Sequence, residues 1–426
     1  MTTNGEREIL GKLIKYHRQM QGLKQDDLAI GICTASYLSR IENEVVMADE
    51  NVYTMLFERL GIDFITEQKQ VKQVNMQLDN FYEQLLSNQT LNDQELNDLV
   101  SWQSNELHRT LQLRAKLVYI RYLLSIDYLK EAEDQLQKIE IFISWQQDRE
   151  TQMYIGTSTY FYLSTMDYTA ILEREDKLHL RHLLLTTNQF ELANYDYHLA
   201  FAAHRAYAFQ QALTYIERAD QSFTHFYKPL FQLKLYSMKG VILNALGRYG
   251  EAMREFEAGM NLLSHVQEIQ TARQYSSLMN NIAFSFESQG DYERAQQHYQ
   301  KANDYLEDLH TVINWMRASY RANDFETLSL LFDRYPQERF SIGHHLYQWE
   351  LLSMALHPEE HTLERLQDIE RRAFIYFDEQ NHLELILFYV PLWATFYERL
   401  QAYKPASACY RRAFKASEKS RCLLSH

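Results

Sequence analysis

Turn-forming residues are scarce in this chain of 426 residues, which has only 12 glycines and 5 prolines. Together they make up about 4% of the sequence, whereas an average globular protein has about 12%. β-Sandwiches, β-barrels and nucleotide-binding α/β folds need such residues in their turns, so the composition argues against all three. Hydrophobic residues still make up 46% of the chain, which is enough for a large core and excludes global disorder.

Cysteine is also rare, and long apolar runs are absent. Cys33, Cys409 and Cys422 are odd in number and far apart, so neither a disulfide framework nor a zinc site is predicted. The N-terminal residues lack the basic and apolar segments of a secretion signal. No apolar run approaches the ~18 residues that a membrane-spanning helix needs. We therefore expect a cytoplasmic protein with no membrane contact.

The first 65 residues contain several short helical segments. GLKQDDLA and ICTASYLSRIEN are separated by a turn, and Thr34 is a suitable N-cap for a helix that starts at Ala35. This order resembles the Cro/CI-type (Xre) helix-turn-helix family. The resemblance implies that Gln25 contacts a DNA phosphate and that the helix after Thr34 enters the major groove. The candidate DNA-binding residues are Gln25, Thr34, Ala35, Ser36, Ser39 and Arg40.

The outer face of that helix is polar and small, whereas Leu38 and Ile41 are expected to pack inward. Charge argues against strong DNA binding, because residues 1–65 contain seven basic and ten acidic residues, a net charge of −3. DNA-binding domains are usually basic, so one such domain would bind weakly and two would have to act together. A helix-turn-helix that serves only as a protein contact is the alternative.

Apolar anchor residues recur at intervals of 33 to 43 residues through most of the remaining chain. Each is followed three residues later by a small or apolar residue and, in most copies, seven residues later by a bulky one, as in Tyr249, Ala252 and Phe256. The anchors are Leu129, Tyr168, Phe209, Tyr249, Tyr292, Phe325 and Tyr403. The last interval is double, which predicts a degenerate copy near Leu363–Glu370. A turn is predicted two residues before an anchor, at Asp127, Gly247, Gly290 and Asn323.

A period near 40 in a helical chain predicts stacked helical hairpins, which form a solenoid. The segments GRYGEAMREFEAGM and GDYERAQQHYQKAN resemble the tetratricopeptide repeat, TPR. We predict an all-α protein with a helix-turn-helix domain over residues 1–66 and linker helices over 67–109. A TPR-like right-handed α-solenoid of about eight repeats follows over 110–426. An irregular helical bundle is the alternative.

One Xre-type domain followed by a long TPR-like solenoid resembles the peptide-pheromone regulators of Gram-positive bacteria. This is the PlcR/NprR/Rgg group, to which the Rap proteins without a DNA-binding domain also belong. Length and repeat number are most like the NprR branch. The resemblance implies a quorum-sensing transcriptional regulator that binds a double-stranded DNA operator and is switched by a short imported oligopeptide in the solenoid groove. It also implies a homodimer or a higher oligomer. The alternative is a Rap-type regulator that captures a response regulator or another protein.

Asparagine side chains in that family grip the peptide main chain, since an amide both donates and accepts hydrogen bonds. Asn281, 11 residues before its anchor, is the closest match. Two further candidates have the same offset of 11 residues, and three polar residues lie four, five or eight residues before their anchors. The candidate peptide-binding residues are Asn281, Asn244, Asn314, Arg121, Arg205 and His198. A helix-surface asparagine that only meets water is the alternative for each.

No nucleotide-binding glycine motif or serine-hydrolase motif occurs, so neither an enzyme nor a cofactor is predicted. His357-Pro-Glu-Glu-His361 has the spacing of an inverted zincin. Pro358 is tolerated only in the first turn of a helix and no third ligand follows, so a loop between repeats is favoured. Surface or packing roles are assigned to the other histidine clusters, His179/His182 and His344/His345. No metal site is predicted.

Overall fold

The computed structural model describes residues 4–43, 45–104, 109–223, 228–265, 271–341 and 343–424. These residues form 23 α-helices and two short 3₁₀ helices, with no β-strand among them, so the predicted all-α class is confirmed. The chain divides into two compact units, Met1–Tyr195 and Asp196–His426. No helix in the described ranges is long and apolar enough to cross a membrane.

Six helices precede the repeats. They are α1 (Asn4–Met20), α2 (Gln25–Ala29), α3 (Ala35–Glu42), α4 (Glu50–Arg59), α5 (Phe64–Leu86) and α6 (Asp93–Ser104). Gly22, Gly31 and Gly61 follow α1, α2 and α4 with φ values of 66°, 72° and 71°, a left-handed conformation that favours glycine and ends each helix. Gly11 of α1 lies so close to α3 that an added Cβ would stand 2.1 Å from the Ile41 carbonyl oxygen.

The remaining helices form eight hairpins with one additional short helix, α11 (Leu180–Leu183). The hairpins are α7 (Arg109–Ser125) with α8 (Leu129–Glu140), α9 (Arg149–Ser164) with α10 (Tyr168–Leu178), α12 (Gln189–Arg205) with α13 (Phe209–Phe223), α14 (Pro229–Ala245) with α15 (Tyr249–His265), α16 (Thr271–Ser288) with α17 (Tyr292–Tyr305), α18 (Leu309–Arg321) with α19 (Phe325–Arg334), α20 (His344–Leu356) with α21 (Leu363–Glu379), and α22 (Leu383–Arg399) with α23 (Tyr403–Leu424). We call the first helix of each hairpin its A-helix and the second its B-helix. The 3₁₀ helices Gln337–Arg339 and Pro358–Glu360 flank α20.

Every predicted anchor is the first residue of a B-helix, and the degenerate copy predicted near Leu363 is α21. The predicted turns are also confirmed. Asp127, Gly247, Gly290 and Asn323 have φ values of 63°, 74°, 82° and 59°. An aspartate then caps several B-helices, as Asp291 does by accepting a hydrogen bond from the backbone nitrogen of Arg294 at 3.2 Å.

Small residues allow the two helices of a hairpin to pack closely. Ala132, Ala212, Ala252 and Ala295 are fully buried three residues after their anchors. Gly240 of α14 lies against the ring of Phe256 on α15, where an added Cβ would stand 2.4 Å from Cε1 of that ring. The hairpin therefore depends on glycine at this position.

Candidate functional site

In the segment predicted to be a helix-turn-helix, α3 has one face buried and the other exposed. The Thr34 hydroxyl accepts a hydrogen bond from the backbone nitrogen of Tyr37 at 3.2 Å, as expected for an N-cap. Leu38 and Ile41 are buried, so the predicted inward face is confirmed. Ser36 and Arg40 are exposed, and Ala35 and Ser39 are half-buried. Within the part of the chain that is described, the Arg40 guanidinium has no hydrogen-bond partner.

Gln25 and Arg18 converge on a buried carboxylate. Arg18 donates to both Glu42 oxygens, at 2.6 and 2.9 Å, and Gln25 Nε2 donates to Glu42 Oε2 at 2.7 Å. This arrangement links α1, α2 and α3 and raises the pKa of Arg18, chiefly through its hydrogen bond to Glu42. The Arg18–Glu42 pair is neutral as a whole, so it leaves the net charge of −3 for residues 1–65 unchanged. Gln25 contacts DNA only if its amide leaves Glu42 or bridges to both.

The A-helices of successive hairpins are joined by polar side chains. Asn281 of α16 donates from Nδ2 to Ser237 Oγ of α14 at 3.0 Å. Asn314 of α18 donates from Nδ2 to Asn280 Oδ1 of α16 at 3.1 Å. In both cases a residue 11 positions before its anchor bonds a residue 12 positions before the preceding anchor. The residues at the offset of 11 that the sequence singled out therefore form a repeated lateral connection between neighbouring A-helices.

Asn281 and Asn314 differ in exposure and do not bond to each other. Asn281 is half-buried, whereas Asn314 is buried and also lies 3.3 Å from His310 Nε2. Asn244 is buried as well, and its Nδ2 donates a long hydrogen bond of 3.4 Å to Ser288 Oγ. Its Oδ1 is a buried acceptor with no hydrogen-bond partner among the described residues. Such an acceptor favours a ligand that brings an N–H group.

A buried ion pair continues the polar connections to the later A-helices. Glu287 of α16 accepts from Arg317 Nε and Nη2 of α18 at 2.7 and 2.9 Å, and from the Tyr299 hydroxyl at 2.9 Å. Arg317 Nη1 and the Tyr389 hydroxyl of α22 both donate to Gln348 Oε1 of α20, at 3.4 and 3.2 Å. Burial alone would raise the pKa of Glu287, but the charge and hydrogen bonds of Arg317 lower it.

Arg121 lies in the first unit, within α7. Its side chain is buried, stacks on the Tyr160 ring at 3.5 Å and donates one long hydrogen bond, also 3.5 Å, to the Gly156 carbonyl oxygen. No carboxylate pairs with it in the described ranges. Burial lowers the pKa of Arg121. A buried guanidinium with so few partners is suited to an anionic ligand group.

His198 and Arg205 lie on α12 in the second unit. His198 is buried and its ring packs edge-on against that of Tyr197. Arg205 is half-buried at the C-terminal end of the helix. In the turn that follows α12, the Tyr207 hydroxyl donates a hydrogen bond to Glu384. The same hydroxyl accepts a hydrogen bond from the backbone nitrogen of Leu383 at 2.8 Å.

Four histidines of the second unit lie close together. His310 Nδ1 and His345 Nε2 are 3.0 Å apart. The ring centroids of His344 and His345 are separated by 3.9 Å, and those of His344 and His382 by 4.9 Å. Burial, followed by the charges of neighbouring histidines, lowers the pKa of both His344 and His345 to about 4.

The zincin-like spacing does not form a helical metal motif. Pro358–Glu360 is a 3₁₀ turn, so His357 and His361 are not on one α-helical turn. His361 Nε2 is 2.7 Å from the Met354 carbonyl oxygen, and His357 pairs with Glu359. A pocket between α20 and α21 is lined mainly by polar and charged side chains such as Glu350 and contains none of the predicted peptide-binding residues.

Sequence reasoning missed several buried polar residues of these connections. They are the buried Asn280, Glu287, Arg317 and Gln348, together with the half-buried Ser237. A signal was present for two of them. Glu287 is five residues before its anchor, as Asn244 is, and Arg317 is eight residues before its anchor, as Arg121 is.

Comparison with known proteins places this geometry in context. The tetratricopeptide repeat profile matches residues 276–305, which include most of α16 and all of α17. A transcriptional activator, NprA of Geobacillus stearothermophilus, is 21% identical over 407 residues, with 91% of this chain and 98% of the relative covered.

Solved structures share the fold at low sequence identity. The apo form of the quorum sensor NprR from B. thuringiensis has a TM-score of 0.64 and 15% identity, and covers 81% of this chain and 99% of its own. A Rap protein complexed with competence and sporulation factor has a TM-score of 0.63 and 14% identity, and the match covers 83% of this chain and 99% of the Rap chain. NprR in complex with its cognate peptide NprX has a TM-score of 0.58 and 15% identity, and the match covers 80% of this chain and 99% of the NprR chain.

The fold and the aligned A-helices define a protein of tandem TPR-like hairpins, which six further helices precede in the described chain. Within that class, the predicted resemblance to the peptide-pheromone regulators is confirmed, since the matches extend over most of this chain and nearly all of each relative.

Proposed function

We propose that this chain is a cytoplasmic, non-enzymatic transcriptional regulator that binds DNA through α3 and is switched by a short oligopeptide bound along its A-helices. The observation that carries the proposal is the repeated row of asparagines on successive A-helices. Similarity to a transcriptional activator over 91% of the chain supports the DNA-binding part. The shared fold with a peptide-bound quorum sensor supports the ligand class.

The half-buried Asn281 is the best placed of the predicted residues to hold a peptide main chain. Its amide can exchange the Ser237 hydroxyl for a peptide C=O, and the unpartnered Oδ1 of Asn244 can accept a peptide N–H. Asn314 acts by fixing Asn280. We assign Arg121 to an acidic side chain or terminal carboxylate, and we retain His198 and Arg205 as lining residues of the second unit.

The peptide part is tested by calorimetry with synthetic peptides taken from any short reading frame next to the gene that encodes a secretion signal. Replacing Asn281 with Ala should cost about 1–3 kcal/mol of binding free energy, because a main-chain group of the bound peptide loses its partner. Asn261→Ala, on the exposed surface of α15, is the matched control and should bind as the wild type does. Unchanged affinity in folded Asn281→Ala would refute the assignment.

The DNA part is tested by fluorescence anisotropy with promoter fragments from the neighbourhood of the gene. Arg40→Ala should weaken binding by about 1–3 kcal/mol if the guanidinium contacts a guanine. Arg411→Ala removes the same charge from the exposed surface of α23 and serves as the control. Equal losses in both variants would indicate a non-specific charge effect.

Two helix-turn-helix domains must act together to give useful specificity, so we propose a homodimer or a peptide-dependent change between oligomers. Light scattering with and without peptide and DNA measures this. A monomer under all conditions would contradict the proposal.

The second candidate is a protein-interaction regulator of the Rap type. The observation that favours it is the acidic balance of residues 1–65, seven basic against ten acidic residues, which gives this segment little net attraction for DNA. Peptide binding without any promoter binding would select this candidate.

A further inference from the structure

We infer that His310, His344 and His345 form a binding site for a divalent transition-metal ion of the Zn²⁺ or Ni²⁺ class. One ring nitrogen of each of these imidazoles lies within 4.8 Å of those of the other two. His310 is in the first turn of α18, and His344 and His345 begin α20. The packing of adjacent hairpins thus assembles residues that the sequence separates by up to 35 positions.

The spacing of the nitrogen atoms suits a shared ion. Two ligands at 2.0–2.1 Å from a tetrahedral zinc ion are about 3.3 Å apart, and His310 Nδ1 and His345 Nε2 are separated by 3.0 Å. A small outward rotation of either ring would widen the distance between these two nitrogen atoms to the value that the ion requires. In the neutral form each imidazole has one nitrogen available as a ligand. The ion replaces the hydrogen that joins the two rings, and His310 then carries its proton on Nε2.

The groups around the three rings are compatible with this exchange. Asn314 Nδ2 lies 3.3 Å from His310 Nε2. When Nε2 carries the proton, rotation of the Asn314 amide presents its oxygen as the acceptor, which is the kind of contact that orients metal-bound histidines. The same rotation breaks the hydrogen bond from Asn314 Nδ2 to Asn280 Oδ1. Asp308 accepts from the backbone nitrogen of His310 at 3.4 Å, so a carboxylate lies beside the cluster.

The donor set defines the class of ion. Three imidazoles without a thiolate favour Zn²⁺, Ni²⁺ or Cu²⁺ over Ca²⁺ and Mg²⁺, which require oxygen ligands. Three protein ligands leave a fourth position for water or an external ligand, as in open zinc sites. This inference is argued from the histidine geometry and does not require the proposed peptide binding, although Asn314 contacts His310 and belongs to the proposed peptide site.

The test uses the metal-free full-length chain without peptide or DNA. Titration with Zn²⁺ by calorimetry should give one site, and Co²⁺ should give the intense visible absorption of a tetrahedral nitrogen site. His310→Ala and His345→Ala should each weaken Zn²⁺ binding at least 10-fold. His265→Ala, which removes an exposed histidine at the end of α15, should leave it unchanged.

Equal Zn²⁺ affinity in the wild type and both cluster variants would overturn the inference, as would loss of binding in His265→Ala. Circular dichroism establishes whether each variant is folded. If the alanine variants do not fold, the wild-type Co²⁺ titration decides, because a weak octahedral spectrum contradicts a three-histidine site.

Discussion

The buried pair Glu287–Arg317 allows the strongest stability prediction. Arg317→Met removes the guanidinium and keeps much of its apolar volume, whereas Glu287→Gln keeps the shape of the carboxylate and removes its charge. Side-chain exposures are 1% for Glu287 and 9% for Arg317, so each single variant leaves an ionised group in a buried environment. The double variant leaves neither charge.

The magnitude follows from the contacts that each variant breaks. When Arg317 is lost, the Glu287 carboxylate keeps two hydrogen-bond donors. They are the Tyr299 hydroxyl, at 2.9 Å, and Arg321 Nη1, at 3.3 Å. Breaking a buried pair on one side typically costs about 3–5 kcal/mol, whereas replacing both partners with neutral groups is close to neutral. We expect the double variant to be more stable than Arg317→Met by about 2–4 kcal/mol. Arg334→Met, which removes one partner of an exposed pair with Glu307, should cost at most about 1 kcal/mol.

Urea unfolding followed by both fluorescence and circular dichroism measures these differences. The two signals must coincide, since a chain with two compact units can unfold in two steps. The pH dependence gives a second check. The pKa of Glu287 is lowered in the folded chain, so its contribution is present above the unfolded value of about 4.3 and is lost as the pH falls below it. If the costs of the two single variants simply add in the double variant, the buried-charge argument is refuted.

Glycine substitutions test the packing of two other contacts. Gly240→Ala should destabilise the second unit by about 1–3 kcal/mol, because its Cβ would overlap the Phe256 ring. Gly250→Ala, which meets no atom within 4 Å, should instead be neutral or stabilising by about 0.5 kcal/mol in the same urea assay. Gly11→Ala should push α1 away from Ile41 and weaken promoter binding without changing peptide affinity, as anisotropy and calorimetry can separately show.

Much of the fold could be predicted because local rules determine it. Tyr249 and Tyr292 mark B-helix starts since a left-handed residue two positions earlier ends the A-helix in each case. Non-glycine residues occupy the same conformation at Met166, Tyr207 and Gln401, with φ values of 59°, 64° and 57°. Those turns carried no glycine signal, and their location followed only from the repeat period.

The candidate site was less predictable because its contacts join different hairpins. The sequence shows that Asn281 and Asn314 share an offset, but not that Asn314 bonds Asn280. That pairing depends on how far one A-helix is displaced along the next, which is set by side-chain packing over the whole interface. The histidine cluster has the same origin, since His310 meets His345 only when α18 and α20 pack together.

The connections between A-helices also explain how a peptide can act on the hairpins. The Asn281 amide already joins α16 to α14 through Ser237, so a peptide that takes this amide must release that bond. Each exchanged hydrogen bond changes the free energy by only about 1 kcal/mol, whereas moving an equilibrium from 1:99 to 99:1 requires about 5.5 kcal/mol. A peptide that contacts one asparagine therefore cannot switch the protein. Three such exchanges supply about 3 kcal/mol, which moves a 1:99 equilibrium to about 60:40, so a full switch requires about five or six exchanges along successive A-helices. A repeated row of asparagines is suited to a sensor because it lets one peptide make several exchanges.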